Sequence, residues 1–295
     1  MRIRLAENFR AIFYAPFYAS RALGFHTDEG VEVDWLGAAT PGEGVAGLLA
    51  GTVDLTWGGP MRVMKDRDLR PDSSLVCFCE VVGRDPFYLV GRRRLQSLRL
   101  ADLAHLRFAA VAEVPTPWMC LQHDLREHGV DPLRLDRAPD QPMSENLAAL
   151  RRGEIDVVQT FEPYVSIALQ EGIGEVLYAA SDRGETVYTT FIATREGISR
   201  HRAPFAGMVR AASRMQAWLA AHTAEELAAI VAPFFPDVAL AVLEQALRRY
   251  RDAGIWSERP EISRQGFSRL ADGLRSGGFI SSAPRYEECV DQSFG

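Results

Sequence analysis

One short pattern occurs twice in this chain, and it restricts the possible folds more than any other feature. "VAGLLAGTVDLTW", from Val45, aligns with "LAALRRGEIDVVQ", from Leu147: Val45 with Leu147, Leu48 with Leu150, Gly51 with Gly153, Val53 with Ile155, Asp54 with Asp156 and Leu55 with Val157. Each copy reads as a helix stopped by a glycine, whose tolerance of positive φ suits the residue after a helix, followed at once by a short apolar strand. The order upstream recurs too. "RIRLA" precedes a loop, a helix ending near Leu23-Gly24 and the alternating strand "VEVDWL" from Val31; "LRFAAV" precedes the loop "AEVPTPWM", a helix ending near His128-Gly129 and the strand-like "LRL" from Leu133. Each half is therefore strand, helix, strand, helix, strand, and strands alternating with helices build parallel sheets with right-handed crossovers.

Length agrees with a duplication, because 295 residues lie near the limit of one hydrophobic core. Between the copies, "CFCEVVGRDPFYLVGRR" is strand-like but broken by Gly83 and Pro86, which marks a crossing between lobes. "ETVYTTFIATREG", from Glu185, is rich in β-branched and aromatic residues and returns the chain to the first lobe. The remainder reads as helices backing that lobe: Pro204 to Ala221, "DVALAVLEQALRRY" opened by Asp237 as N-cap, and "ISRQGFSRLADGLRSGG". The expected domains are 1–86 plus 189–295 for a discontinuous first lobe and 87–188 for an inserted second lobe, each a mixed, mainly parallel sheet flanked by helices.

Charge and cysteine usage exclude several classes of function. A net charge of -6 gives no field that would hold nucleic acid, and the Arg92, Arg93, Arg94 run reads as a solvated face. No apolar run reaches the roughly 20 residues that span a bilayer. The chain starts directly on "RIRLA" without a charged and apolar leader, so the expected location is cytoplasmic as written, or periplasmic if an export leader precedes it. Cys77, Cys79, Cys120 and Cys289 show no framework spacing and read as core thiols, with Cys77 and Cys79 on one face of a strand. Cys120 and His123 are three apart on a helix, close enough to touch, but no orienting group or oxyanion site accompanies them. No metal site, no cofactor and no catalytic residue are expected.

The residues also resemble a known group. "YAPFYASRALGF", "LLAGTVDLTWGGP", "RDPFYLVGRR", "VPTPWM" before a helix, "LRRGEIDVVQTFEPY" and the tail "ISRQGFSRLADGLRSGGFI" are similar to the substrate-binding proteins of nitrate, sulfonate, taurine and thiamine-pyrimidine ABC importers, from about Ile3 to about Asp291. The resemblance implies a type II periplasmic-binding-protein fold, with two lobes, two crossings and a small organic ligand, aromatic, heterocyclic or sulfonate-like, in the cleft. It implies an ABC permease as partner and a monomer. Enzymes on the same fold remain the alternative: a thiamine pyrimidine synthase, which needs a lysine for pyridoxal phosphate and finds here only Lys65, or a small aromatic acid decarboxylase. A ligand sensor without a transporter also fits.

In α/β sheets small ligands lie at the carboxyl ends of strands, which selects five loops. The first, "ENFRAIFYAPF", offers the amide of Asn8 and the rings of Phe9, Tyr14 and Phe17; Tyr14 stands where pyrimidine-binding relatives often carry a histidine. The second, "GAATPGEG", offers Thr40, and the third, "TWGGPM", offers Trp57, Gly58 and Gly59 with Pro60. In the other lobe, Pro115, Thr116 and Trp118 open a helix that Thr116 is placed to cap, and "TFEPY" supplies Phe161, Glu162 and Tyr164. Tyr188 lies on the return crossing. Hinges are expected at Gly83 to Phe87 and at Glu185 to Tyr188.

Overall fold

A computed structural model of the chain describes residues 2–37, 40, 42–92 and 99–294. The first copy of the repeat folds as β1 (Arg2–Ala6), α1 (Ala15–Ala22), the single turn α2 (Phe25–Asp28), β2 (Glu32–Leu36), α3 (Glu43–Ala50), β3 (Leu55–Gly58) and α4 (Met61–Leu69). After β4 (Leu75–Val82) and β5 (Tyr88–Gly91), the second copy follows as β6 (Arg107–Ala109), α5 (Thr116–Glu127), β7 (Asp136–Arg137), α6 (Met143–Arg152), β8 (Val157–Thr160) and α7 (Tyr164–Gln170). Next come β9 (Glu175–Ala179) and β10 (Thr189–Thr194). Six helices close the chain: α8 (Arg195–Arg200), α9 (Arg202–Ala221), α10 (Ala224–Val231), α11 (Leu240–Asp252), α12 (Arg264–Ser276) and α13 (Tyr286–Cys289).

These strands make two five-stranded sheets, with orders β2-β1-β3-β10-β4 and β7-β6-β8-β5-β9. The repeat is thus visible in three dimensions, since β1, β2 and β3 take the places of β6, β7 and β8. In each sheet the fourth strand runs antiparallel to both neighbours. Gly51 and Gly153, paired by the sequence pattern, end α3 and α6 at φ of 72° and 76°, a conformation that costs glycine no Cβ clash.

The antiparallel strands decide how the sheets face each other. β4 ends at the carboxyl edge of the first sheet, and β5, entering the second sheet antiparallel, begins at the carboxyl edge of that one. β9 and β10 make the return journey between the same two edges. The first crossing, between Val82 and Tyr88, can reach about 20 Å at most when fully extended, so the two carboxyl edges are held close together.

Three local expectations are corrected. The strand expected from Leu133 lies three residues later, at Asp136–Arg137, because Asp131 accepts from the Leu133 amide and Pro132 sets a helical turn over Pro132–Arg134. The helix expected to be capped by Asp237 begins at Leu240, with Ala239 before it. Cys77 and Cys79 do not share a face: β4 bulges at Cys79, with φ of 57°, and the two thiols join different apolar clusters. All four cysteines are buried and free. The closing helices do more than back the first sheet, since α12 lies along α5 and α11 along α7.

The first helix-strand unit packs at close range. A Cβ on Gly44 of α3 would run into Thr56 Oγ1 and stand 2.9 Å from Thr56 Cβ, and Thr56 is fixed because its hydroxyl donates to the Ala6 carbonyl at 2.8 Å. Gly44→Ala is therefore expected to destabilise the fold by about 1–3 kcal/mol through overpacking, read as a lower urea midpoint with unchanged slope. An unchanged midpoint would show that α3 is free to shift.

Candidate functional site

The facing edges meet in a layer of aromatic rings. From the loop after β1, Phe13 sets its ring 5.5 Å from that of Phe161, which follows β8, and 5.8 Å from Tyr188, which precedes β10. Phe9 lies 6.4 Å from Phe161, and Phe161 in turn lies 5.1 Å from Phe87 in the first crossing. These are edge-to-face or tilted contacts, the arrangement that ring quadrupoles favour. Phe13, Phe87, Phe161 and Tyr188 are buried and Phe9 is half-buried, so the seam is shut in this structure.

Asn8 and Tyr14 stand together in the seam, the Asn8 amide donating to the Tyr14 hydroxyl at 3.1 Å. Burial pushes the Tyr14 phenol up to about 12, so it keeps its proton at neutral pH. Gly58 and Gly59, at the end of β3, lie against this group: a Cβ on Gly58 would be in van der Waals contact with Asn8 Nδ2 at 3.5 Å, and one on Gly59 with the Tyr188 carbonyl at 3.5 Å. Trp57 stands one layer behind. Its ring stacks on Phe17 at 4.5 Å and meets Tyr14 at 6.0 Å, and its Nε1 is buried without a hydrogen-bond partner. At the carboxyl end of β8 the Thr160 hydroxyl is likewise buried and unpaired. Unpaired buried polar atoms each cost stability and call for an explanation such as a bound partner.

Other expected residues sit elsewhere or are already engaged. Thr40 is exposed and donates to Glu43. Thr116 is the first residue of α5 and does not cap it; Pro115 holds the capping position without a side-chain bond, and the turn is fixed by Gln159, whose amide donates to the Pro117 carbonyl at 2.9 Å. Trp118 does not reach Trp57. The first turn of α5 rotates it onto Phe108, 5.6 Å away, with Arg137 stacked on its other side. Tyr164 is half-buried beside Phe161. Of the Arg92 run, Arg92 pairs with Asp156, and Arg93 and Arg94 lie outside the described residues.

Glu162 is the largest departure. Its carboxylate is fully buried and occupied: it is paired with Arg249 of α11 and accepts from the Ser166 amide at 2.9 Å and the Ser166 hydroxyl at 3.0 Å. Its own amide donates to the Tyr250 hydroxyl at 3.0 Å. It braces α11 against the end of β8 and has nothing left for a ligand. Glu162→Ala is accordingly expected to cost about 3 kcal/mol of stability, the usual result of stranding one member of a buried pair, seen as a fall in urea midpoint. A variant as stable as the parent would show that the pair is dispensable.

A matching brace holds the crossings. Arg183, in the second crossing, donates to Asp85 of the first at 3.0 Å and to Asp124 of α5 at 2.9 Å, and Tyr178 donates to Asp124 at 2.9 Å. Nearby, Glu80 of β4 accepts from the Ser257 hydroxyl at 2.7 Å and the Ser263 amide at 3.2 Å, while the Ser263 hydroxyl bonds Glu185. Burial pushes the Glu80 carboxyl up to about 7. In the unfolded chain it ionises near its ordinary value, so between the two values the unfolded state binds fewer protons. Stability is expected to fall by about 3 kcal/mol as pH rises from 4.5 to 7 and to level off above. Melting curves across that range should show a steeper decline in the parent than in Glu80→Gln, where burial of Asp85 and Glu162 still acts in the same direction; parallel curves would contradict it.

Sequence reasoning passed over Phe13, Phe87 and Arg249. The first two lie inside the quoted segments "NFRAIFYAPF" and "RDPFYLV", where density of aromatics was the available signal. Arg249 is 87 residues from its partner Glu162 and no local pattern announces it. Lys65, the single lysine, does not face the seam: its Nζ donates to the Phe279 carbonyl at 2.7 Å and pairs with Asp68.

Comparison with known proteins places the molecule. The model of the NMT1-like family matches residues 81–232, just over half of the chain. The chain belongs to the NMT1-like family. A relative, the putative binding protein YtlA of Bacillus subtilis (strain 168), is 24% identical over 297 residues, covering 99% of this chain and 88% of that one. The periplasmic aliphatic sulphonate binding protein SsuA from Escherichia coli superposes with a TM-score of 0.79 at 16% identity, covering 99% and 98% of the two chains. The periplasmic nitrate-binding protein NrtA from Synechocystis PCC 6803 does so with a TM-score of 0.72 at 12% identity, covering 99% and 86%. The NMT1-like chain thus carries the two-sheet fold of periplasmic substrate-binding proteins. Among the described residues no helix is long and apolar enough to cross a membrane.

Proposed function

We propose that this NMT1-like protein is a solute-binding protein that captures a small organic ligand between two lobes, residues 1–86 plus 189–295 and residues 87–188, and presents the closed form to an ABC permease. The observation that carries the reading is the seam itself. Aromatic rings from both sheets meet there around Asn8 and Tyr14, with the buried, unpaired Trp57 Nε1 and Thr160 Oγ1 at the strand ends behind them. A ligand with a flat apolar body and a few polar groups would give such atoms partners. YtlA, SsuA and NrtA are described as binding proteins, which supports the same reading.

Opening has a defined place. The chain passes between the two sheets from β4 to β5 and again from β9 to β10, and rotation about Gly83 to Phe87 and Glu185 to Tyr188 within these crossings would part Phe9 and Phe13 from Phe161. Ligand would enter the open form, and its greater affinity for the closed form would draw the edges together.

A thermal-shift panel of pyrimidines, sulfonates, aromatic acids and pyridoxal phosphate tests this. One of the first three classes is expected to stabilise the chain, and Phe9→Ala and Phe161→Ala are each expected to weaken that ligand about tenfold or more. A ligand held equally well by both variants would put the site elsewhere. Stabilisation by pyridoxal phosphate alone, with an absorbing adduct lost in Lys65→Arg, would favour the enzyme reading.

A further inference from the structure

We infer that Glu80, Ser263 and Glu185 form a proton-operated latch on the crossings: with Glu80 neutral the latch favours the closed form, and with Glu80 ionised it lets the sheets part. The inference rests on the opening motion proposed above. Ser263 holds both carboxyl groups at once. Its amide donates to Glu80 Oε2 at 3.2 Å and its hydroxyl donates to Glu185, while the same hydroxyl oxygen caps α12 by accepting from the Gly266 amide at 3.0 Å. Glu80 belongs to β4 of the first sheet, whereas Glu185 is the first residue of the hinge in the second crossing. One serine therefore ties a fixed strand to a moving segment.

The two carboxyl groups differ in freedom. Glu80 is buried and cannot withdraw: Ser257 donates to its Oε1 at 2.7 Å, and a Cβ on Gly83, the first residue of the other hinge, would stand 2.6 Å from the same oxygen. Glu185 is exposed. Burial pushes Glu80 up to about 7, and among the described residues its charged neighbour is Glu185, which opposes ionisation further. The other titratable or charged groups around it are Cys79 on the same strand, Glu261 before α12, Tyr286 of α13 and Arg269 of α12, the last bonded to the Glu185 carbonyl. When Glu80 loses its proton, two like charges face one serine beside a buried site. The one free to move is Glu185, which swings toward water and gives up Ser263. Ser263 stays with the first sheet, because Glu80 holds its amide and the Tyr286 hydroxyl holds the adjacent Ile262 carbonyl. Rotation about Glu185 to Tyr188 carries Glu185 away from that anchor, so its bond to Ser263 belongs to the closed form and losing the bond favours the open one.

The test is X-ray scattering from the ligand-free chain at about pH 5.5 and about pH 8.5, on either side of the Glu80 transition, for the parent, Glu80→Gln, Glu185→Gln and Phe161→Ala. In the parent the ratio of open to closed molecules is expected to rise about tenfold with pH, the change that follows if closure strengthens proton binding by Glu80 tenfold, and the radius of gyration rises with it. Glu80→Gln is expected to keep one radius at both pH values, close to that of the parent at the lower pH. Glu185→Gln, at an exposed position, leaves one charge at Ser263 and is expected to lose most of the dependence. A parent whose radius is constant or falls with pH, while Phe161→Ala is more open than the parent, would overturn the latch alone. So would a rise that both glutamine variants share. Failure of the opening motion looks different: the parent and Phe161→Ala would both hold the closed radius at either pH, and the latch would fall with it.

Discussion

The arrangement depends on an exchange of strands. Each sheet receives its antiparallel fourth strand, β5 or β10, immediately after the chain has left the other sheet, and both exchanges run from carboxyl edge to carboxyl edge. So short a first crossing holds the two carboxyl edges close together, and the loops that follow β1 and β8 meet there. The aromatic seam is a consequence of that topology. Residues such as Phe13 and Phe161, 148 positions apart, become neighbours because the chain crosses there twice.

Around the seam the protein separates bracing from recognition. Two buried ionic clusters lie to either side: Glu162 with Arg249 ties α11 to the end of β8, and Arg183 with Asp85 and Asp124 ties both crossings to α5. In both clusters each charge has a partner and further hydrogen bonds, the condition under which buried ions are tolerated. Behind the seam, Trp57 Nε1 and Thr160 Oγ1 are buried without a partner, as are a few polar atoms elsewhere, such as His201 Nδ1 and Gln216 Oε1. Local violations of this kind concentrate at functional sites, where stability is exchanged for recognition.

Much of the fold was legible because it follows from local rules. Gly51 and Gly153 marked the ends of two helices, the strands after them were apolar and short, and the order of elements repeated. What was not legible depends on distance or on rotation about a helix axis. Glu162 carried the signature of a ligand anchor, a carboxylate between two aromatics, but its partner comes from α11 and converts it into a brace. Trp118 sat in the right loop, yet the turn of α5 directs it onto Phe108.

Small-angle X-ray scattering measures the central claim most directly, that the facing carboxyl edges open and close upon a ligand. The account predicts that the ligand-free chain has a radius of gyration larger than that calculated from the closed structure, and that a saturating ligand found by the thermal-shift panel brings it down to the calculated value. A ligand-free chain already at the closed value, and unchanged by a ligand that demonstrably binds, would contradict it.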